Sequence, residues 1–435
     1  MQDKLFVMQI VRDDREEREM KRDMLDLKKQ ELPHLIRVRQ HFPTDCISDI
    51  PAAVRQELDK LTLDDKLRDK QIAITAGSRG IANIATIIRS IADYVKAKGG
   101  HPFIVPAMGS HGGATAQGQI DVLKGYGITE ETMDCPIRSS METVYLGETE
   151  NGAPVYFDKN AYESDGVIVC NRVKPHTDFS APNESGIVKM IAIGLGKKDG
   201  CSAMHAHGLA QSIAQSCKVS LQKAPILCGL AIVENSNDQT YLLQGVPVET
   251  YIETDAKLQL LARSLVPHLP GSQYDLVVVK EIGKIYSGTG MDTKVIGRIR
   301  VRGVEEPESP DIHMLVALRM NEHSYGNALG IGLADITTKG LVSQIDRESM
   351  YSNLIPTTYL ERGKIPVYFD TEEEAISQAY ALANPGPDGR IAIIENTLHV
   401  QELLVSAQIV KENPELEVLE DDVPVVYTPD GMLNV

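Results

Sequence analysis

At 435 residues the chain is too long for one ordinary core, and at about 100 to 200 residues per domain it calls for two. A formal charge of -17, an aromatic fraction of 5% with no Trp, and the lack of a Lys/Arg block set among aromatics argue against nucleic acid as a partner. The 42% hydrophobic and 24% charged fractions are those of a soluble globular protein, and no apolar run approaches the roughly 18 residues of a membrane helix, so small-molecule chemistry is the expectation.

The opening MQDKLFVMQIVRDDREEREMKRDM mixes acidic and basic residues and has no apolar core followed by small residues; it does not read as a secretory signal, and a cytoplasmic location is expected. Residues 12–30 alternate charge like a solvated helix with ion pairs three or four positions apart. Six cysteines, at 46, 135, 170, 201, 217 and 228, contain no CxxC pair, so reduced and mostly buried thiols are expected. From Lys70, KQIAITAGSRG reads as a strand running into a turn, and IANIATIIRSIADYVKAKGG as a helix closed by glycines. HPFIVPAM, GSHGGAT and AQGQIDVLKGYG repeat strand, loop and helix, which is the alternation of a parallel sheet.

After a less regular section, DGVIVCNRVKPH supplies another buried strand with a histidine beyond its end, and a helix is expected from about Ser202, with His205 and His207 near its start. APILCGLAIVEN is a strand and VETYIETDAKLQLLARSLVPHLP a long amphipathic helix. YDLVVVKEIG opens a second α/β unit, in which DIHMLVALRM, KIPVYFD and GRIAIIEN are strands, and GNALGIGLADITTKGL and TEEEAISQAYALA are helices. The expected fold is therefore two α/β domains, 1–268 and 269–435, with largely parallel sheets facing an inter-domain cleft.

Loops at the carboxyl ends of parallel strands are where such folds place ligands, and Arg79, His111 and His176 all fall on loops of that kind. Gly77, Ser78 and Arg79 offer backbone N–H groups and a guanidinium to a phosphate or carboxylate; a plain tight turn is the other reading. His111, between glycines, and His176, aimed by Pro175, have the surroundings of a general acid or base, against the alternative of capping or core histidines. Lys189 stands among Ile187, Val188, Met190, Ile191 and Ile193, where burial would depress its pKa and make the amine a nucleophile for a covalent cofactor, unless it snorkels to solvent. His205 could present imidazole to a metal or cofactor held there, with His207 a spare on the same helix. GNALGIG imitates a dinucleotide fingerprint but does not follow a strand, so close helix packing is the better reading.

Taken together, SRG after the first strand, GSHGGAT, KPH, the apolar segment around Lys189 and His205 downstream resemble, in order and spacing, the nickel-dependent lactate racemase family over nearly the whole chain. The resemblance implies a nickel-pincer nucleotide, a nickel pyridinium-3-thioamide-5-thiocarboxylic acid mononucleotide. It would be covalent on Lys189, with His205 as the protein ligand of nickel, and Gly77, Ser78 and Arg79 at the cofactor or substrate carboxylate. His111 and His176 match the family's acid/base pair: one takes the hydroxyl proton of a 2-hydroxy acid while hydride leaves, and the other serves the opposite face. It further implies transient contact with cofactor-biosynthesis proteins; composition leaves no membrane or nucleic-acid partner expected, and an oligomer is possible.

The chain departs from those racemases in places. Ala76 stands for their aspartate, Gly112 for their arginine, and IVK for their GG-R-K around the lysine. In the second domain Asp292 has a counterpart while Gly297 and Arg300 do not match; Arg79, Lys284, Lys294 and Arg298 are the candidate substrate-binding cations. The expected activity is that of an isomerase, a racemase or epimerase acting on a 2-hydroxy acid that is lactate-like or larger. Two other readings stand beside it: a metallohydrolase ligating metal through His111, His176 and His205, and a non-catalytic binder of a sugar acid or nucleotide.

Overall fold

A computed structural model describes residues 30–435 apart from Arg79. The charged stretch 12–30, but for Gln30, and the Arg79 guanidinium thus lie outside the described residues. The described residues form two compact units: Phe42–Val266, and Pro267–Val435 together with residues 30–41. β1 (Leu35–Arg39) is why the second unit reaches back to the N-terminus. It pairs antiparallel with two strands near the C-terminus, so it does not join the rest of residues 1–268 as sequence patterning implies. A short strand flanked by charge carries no mark of the distant strand it will pair with.

In the Phe42–Val266 unit, α1 (Ile50–Asp59) precedes β2 (Gln71–Ala76), α2 (Ile84–Ala97), β3 (His101–Pro106) and α3 (Ala116–Gly125). The less regular section is an antiparallel hairpin, β4 (Thr143–Glu148) and β5 (Pro154–Asp158). β6 (Gly166–Arg172), α4 (Gly186–Lys189), α5 (Lys197–Ala206), α6 (Leu209–Lys223), β7 (Ile226–Glu234), β8 (Thr240–Pro247) and α7 (Tyr251–Leu265) follow. The five-stranded sheet runs β3-β2-β6-β7-β8, parallel except for β8. Residues Ile72 to Ala76 are all buried, as expected of a central parallel strand covered on both faces. Ile84, Ile87, Ile88, Ile91 and Val95 recur at helical spacing on α2 and are all buried; they share one core with Ile72, Ile74, Ile104, Ile168 and Leu230.

The other unit holds β9 (Gln273–Ile282), β10 (Asp311–Met320), β11 (Ile336–Thr338), β12 (Val367–Phe369), α8 (Glu372–Ala383), β13 (Ile391–Ile394), β14 (Glu402–Val405) and β15 (Glu417–Val423). Its eight strands run β12-β11-β10-β9-β13-β14-β1-β15, parallel from β12 to β13 and antiparallel beyond. Both units are thus α/β with largely parallel sheets.

One helix expected in this unit is absent. GNALGIG forms a turn and a short 3-10 segment, Ile331–Leu333, leading into β11. Gly330 takes φ +100, and a Cβ there would lie 1.6 Å from the Thr289 carbonyl oxygen, so the glycine serves a close approach of two loops. Among the described residues no helix is long and apolar enough to cross a membrane.

Candidate active site

β2, β3, β6 and β7 are parallel, so the loops leaving them emerge on one edge of the sheet. After β2 come Gly77 and Ser78; after β3, His111; after β6, His176. Helix α2 begins only at Ile84, so the Gly77–Gly80 turn does not open the helix directly as its sequence implies. Ser78 Oγ lies 2.5 Å from His111 Nδ1, and Tyr126 donates its hydroxyl to the Ser78 carbonyl at 2.7 Å. Two loops from neighbouring strands therefore hold the His111 ring through one nitrogen.

The His176 main-chain N–H donates to Glu184 Oε2 at 2.7 Å. Its ring Nδ1 accepts the Asp178 N–H at 3.0 Å, which puts the proton of the neutral ring on Nε2. The ring packs on Phe179 with centroids 4.6 Å apart. Glu184, fully buried, also accepts the Ala181 N–H at 3.1 Å and pairs with Arg263 of α7 at 2.6 Å. The carboxylate is thus the knot of the His176 loop, and α7 is its anchor.

The same helix sets Lys189. Asp255 accepts the N–H groups of Ile187 at 2.8 Å and Val188 at 3.4 Å and the Asn183 side-chain amide at 2.9 Å, capping the short helix that ends in Lys189. Burial pushes the Asp255 carboxyl up to about 6, with these hydrogen bonds pulling against it. Gly186 has φ +75, and a Cβ on it would lie 2.1 Å from Asp255 Oδ1, so only glycine admits the cap. Lys189 itself is half-buried with its ammonium 6.0 Å from the Phe179 ring centre, although its apolar neighbours Ile187, Val188, Met190 and Ile191 are buried. The fully buried lysine is Lys197, eight positions on (197 - 189 = 8).

Between them the backbone makes a π-helical turn, Met190–Gly194, closed by the Leu195 N–H on the Met190 carbonyl at 2.8 Å. Such turns insert one extra residue and re-aim the side chains beyond it. Helix α5 then starts at Lys197, earlier than its glycines imply, because Gly196 and Gly200 serve close packing; Cβ atoms on them would sit 2.5 and 2.9 Å from the Ala192 carbonyl oxygen. His205 therefore lies in the last turn and is exposed, with Cys201 one turn earlier on the same helix. Cys201 Sγ is 3.7 Å from Ser110 Oγ, beside His111. His207 bonds the Ala203 carbonyl at 2.9 Å and closes the helix.

The three loops all seat on the segment between Gly186 and His205. A Cβ on Gly77 would meet Met190 at 3.2 Å, and one on Gly109 would meet Ile193 at 3.2 Å and Cys201 at 3.6 Å. Asn171, at the end of β6, donates to the Gly186 carbonyl at 2.8 Å. Ser78, Ser110, His111, Cys201 and His205 thus form one chain of neighbours, and His176, Phe179 and Lys189 another, joined through Gly77 and Met190. Among the described residues no group of three or more His, Cys, Asp or Glu side chains is placed to hold a metal ion, so His111, His176 and His205 do not form the three-histidine centre that a metallohydrolase would need.

In the other unit Lys284 and Lys294 are half-buried; Lys284 Nζ donates to the Gly288 carbonyl at 2.7 Å and the Lys294 N–H to Asp292 at 2.8 Å. Arg298 does not suit a substrate-binding cation. Its guanidinium donates to the carbonyls of Leu333, Ile312 and His313 at 2.9, 2.7 and 3.2 Å and pairs with Asp335 at 2.7 Å, which makes it a clamp between two loops. Sequence reasoning passed over Phe179, Glu184, Asp255, Gln119 and Lys197. Phe179 and Glu184 lie close enough to His176 to have been suspected, whereas nothing in an amphipathic helix marks Asp255.

Residues 24–216 match the lactate racemase N-terminal domain family. Over that stretch the chain is similar to lactate racemase N-terminal domains. The matched stretch carries Gly77, Ser78, His111, His176, Lys189 and His205, and ends before α7, which supplies Asp255 and Arg263. No curated protein matches the chain. Among solved structures, the lactate racemase apoprotein from Thermoanaerobacterium thermosaccharolyticum is 13% identical, with 87% of this chain and 90% of that one covered at a TM-score of 0.44. A protein from Thermotoga maritima is 12% identical, with 64% and 72% covered at 0.46.

Proposed function

We propose that this lactate racemase-like protein is an isomerase that racemises or epimerises a 2-hydroxy acid, lactate-like or larger, with a nickel-pincer nucleotide on Lys189. The observation that carries the reading is the convergence of the Ser78–His111 and His176–Phe179–Lys189 groups on the segment that ends in His205. The donor set fits the cofactor. The half-buried Lys189 amine, 6.0 Å from the Phe179 ring centre, is the group that would carry a thioamide link, and His205, in the last turn of α5, would be the protein's donor to nickel. When bound, the cofactor supplies nickel and an electron-poor ring able to accept hydride.

The protein's own part is proton handling and orientation. His176, with Nδ1 accepting from the backbone, holds its exchangeable proton at Nε2, and His111, fixed through Nδ1 by Ser78, is the second proton carrier. Arg79, the sequence neighbour of Ser78, is the proposed cation for the substrate carboxylate. Polarimetry on protein made together with cofactor-synthesising enzymes, run across a panel of single-enantiomer 2-hydroxy acids, tests this. Decay of optical rotation to zero for at least one acid is expected; rotation that stays constant for every acid in protein shown to carry the adduct contradicts it.

A further inference from the structure

We propose that Gln119 and Lys197 form a buried bracket that locks the His111 loop to the helix bearing His205, and that Gln119 is a positioning residue for His111. The second half rests on the role given to His111 above. Both side chains are fully buried. Gln119 donates its amide N–H groups to the carbonyls of Gly109 at 3.0 Å and His111 at 3.4 Å, while its Oε1 accepts from Lys197 Nζ at 3.1 Å. An ammonium can only donate, so it fixes which end of the amide is oxygen and points both N–H groups at the loop. Lys197 also donates to the carbonyl of Pro106, the last residue of β3. Three carbonyls of one segment, on either side of the turn into His111, are therefore gripped by a single charge and its amide extension.

The other end of the bracket is helix α5. Lys197 is its first residue and His205 lies in its last turn, about 12 Å along a rigid axis at roughly 1.5 Å per residue. Lys197 sits at φ +53, a left-handed conformation that disfavours a residue with a Cβ, and is held there by its pairing with Asp158 at 3.0 Å. Asp158, at the end of β5, is fully buried as well, so the charge has nowhere else to go. A turn that needed only to fold could be closed by its own backbone, as the His111 N–H on the Met108 carbonyl already does. The added bracket fixes where His111 stands with respect to α5.

Gln119→Leu keeps the volume and removes the amide. Two readouts separate the bracket from the catalytic reading. In apoprotein, hydrogen exchange by mass spectrometry is expected to quicken about tenfold over peptides spanning 108–114 and to stay unchanged over β7. In protein loaded with cofactor, adduct on Lys189 is expected to match wild type, with KM within about twofold and kcat lower by about tenfold or more. Unchanged exchange over 108–114 in the folded variant overturns the bracket. Faster exchange with unchanged kcat overturns the positioning role, as does a parallel fall of kcat, adduct and thermal stability. Absence of racemisation in wild type counts against the isomerase reading and leaves exchange to decide the bracket. Should Gln119→Leu not fold, Gln119→Glu, which keeps an acceptor for Lys197 and loses both donors, is read the same way.

Discussion

Replacing Lys197 by methionine is expected to destabilise the Phe42–Val266 unit by about 3 to 5 kcal/mol, the usual consequence of removing one member of a buried ion pair. Methionine fills nearly the same space, so the loss is electrostatic. Asp158 would remain fully buried with its charge partner gone, and the Pro106 carbonyl and Gln119 would each lose a donor. Burial already pushes the Asp158 carboxyl up and the Lys197 amine down, each towards its neutral form, with the opposite charge of the other opposing the shift. The double variant Lys197→Met/Asp158→Asn is expected to recover much of the loss. It removes the stranded charge and keeps an oxygen to accept the Ala161 N–H, which Asp158 caps at 2.8 Å. Urea unfolding of both variants is the measurement; a single variant within about 1 kcal/mol of wild type would show that the pair is not coupled to the fold.

His176→Gln is expected to lower kcat by about 10²- to 10⁴-fold with adduct on Lys189 retained. Glutamine can accept the Asp178 N–H but cannot gain or lose a proton near neutral pH, so the variant separates proton transfer from loop structure. Glu184 and Arg263 hold the backbone of this loop independently of the ring, which is why cofactor loading should survive. Enantiomers have equal free energies, so kcat/KM must fall by the same factor in both directions. Polarimetry started from each enantiomer checks this, and a variant as fast as wild type removes His176 from the mechanism.

The parallel framework was legible because its strands are short apolar runs and its helices repeat apolar residues at their own period; β2, α2, β3 and α3 fall where Gln71 to Gly125 place them. The additions at the sheet edges were not. β1, β14 and β15 are drawn together across the length of the chain, and the β4-β5 hairpin matters for what Asp158 at its end reaches. The same limit explains the exchange of roles between the lysines. An apolar neighbourhood in sequence marks Lys189 as buried, yet burial depends on where the π turn aims each side chain, and it is Lys197, beside another lysine and an aspartate, that goes inside. Arg298 looked like a spare cation because the carbonyls that occupy it come from β10 and from the turn before β11. The histidines were readable through their glycine and proline neighbours; the residues that hold them in place, Glu184, Asp255 and Gln119, are ordinary polar residues in sequence and gain their roles only in three dimensions.

Whether Lys189 carries the cofactor is decided by peptide mass spectrometry with nickel analysis on protein made together with cofactor-synthesising enzymes. A Lys189 peptide heavier by roughly a few hundred daltons is expected, with about one nickel per chain, and neither in Lys189→Ala. A wild-type Lys189 peptide of unmodified mass, from protein without nickel, would contradict it.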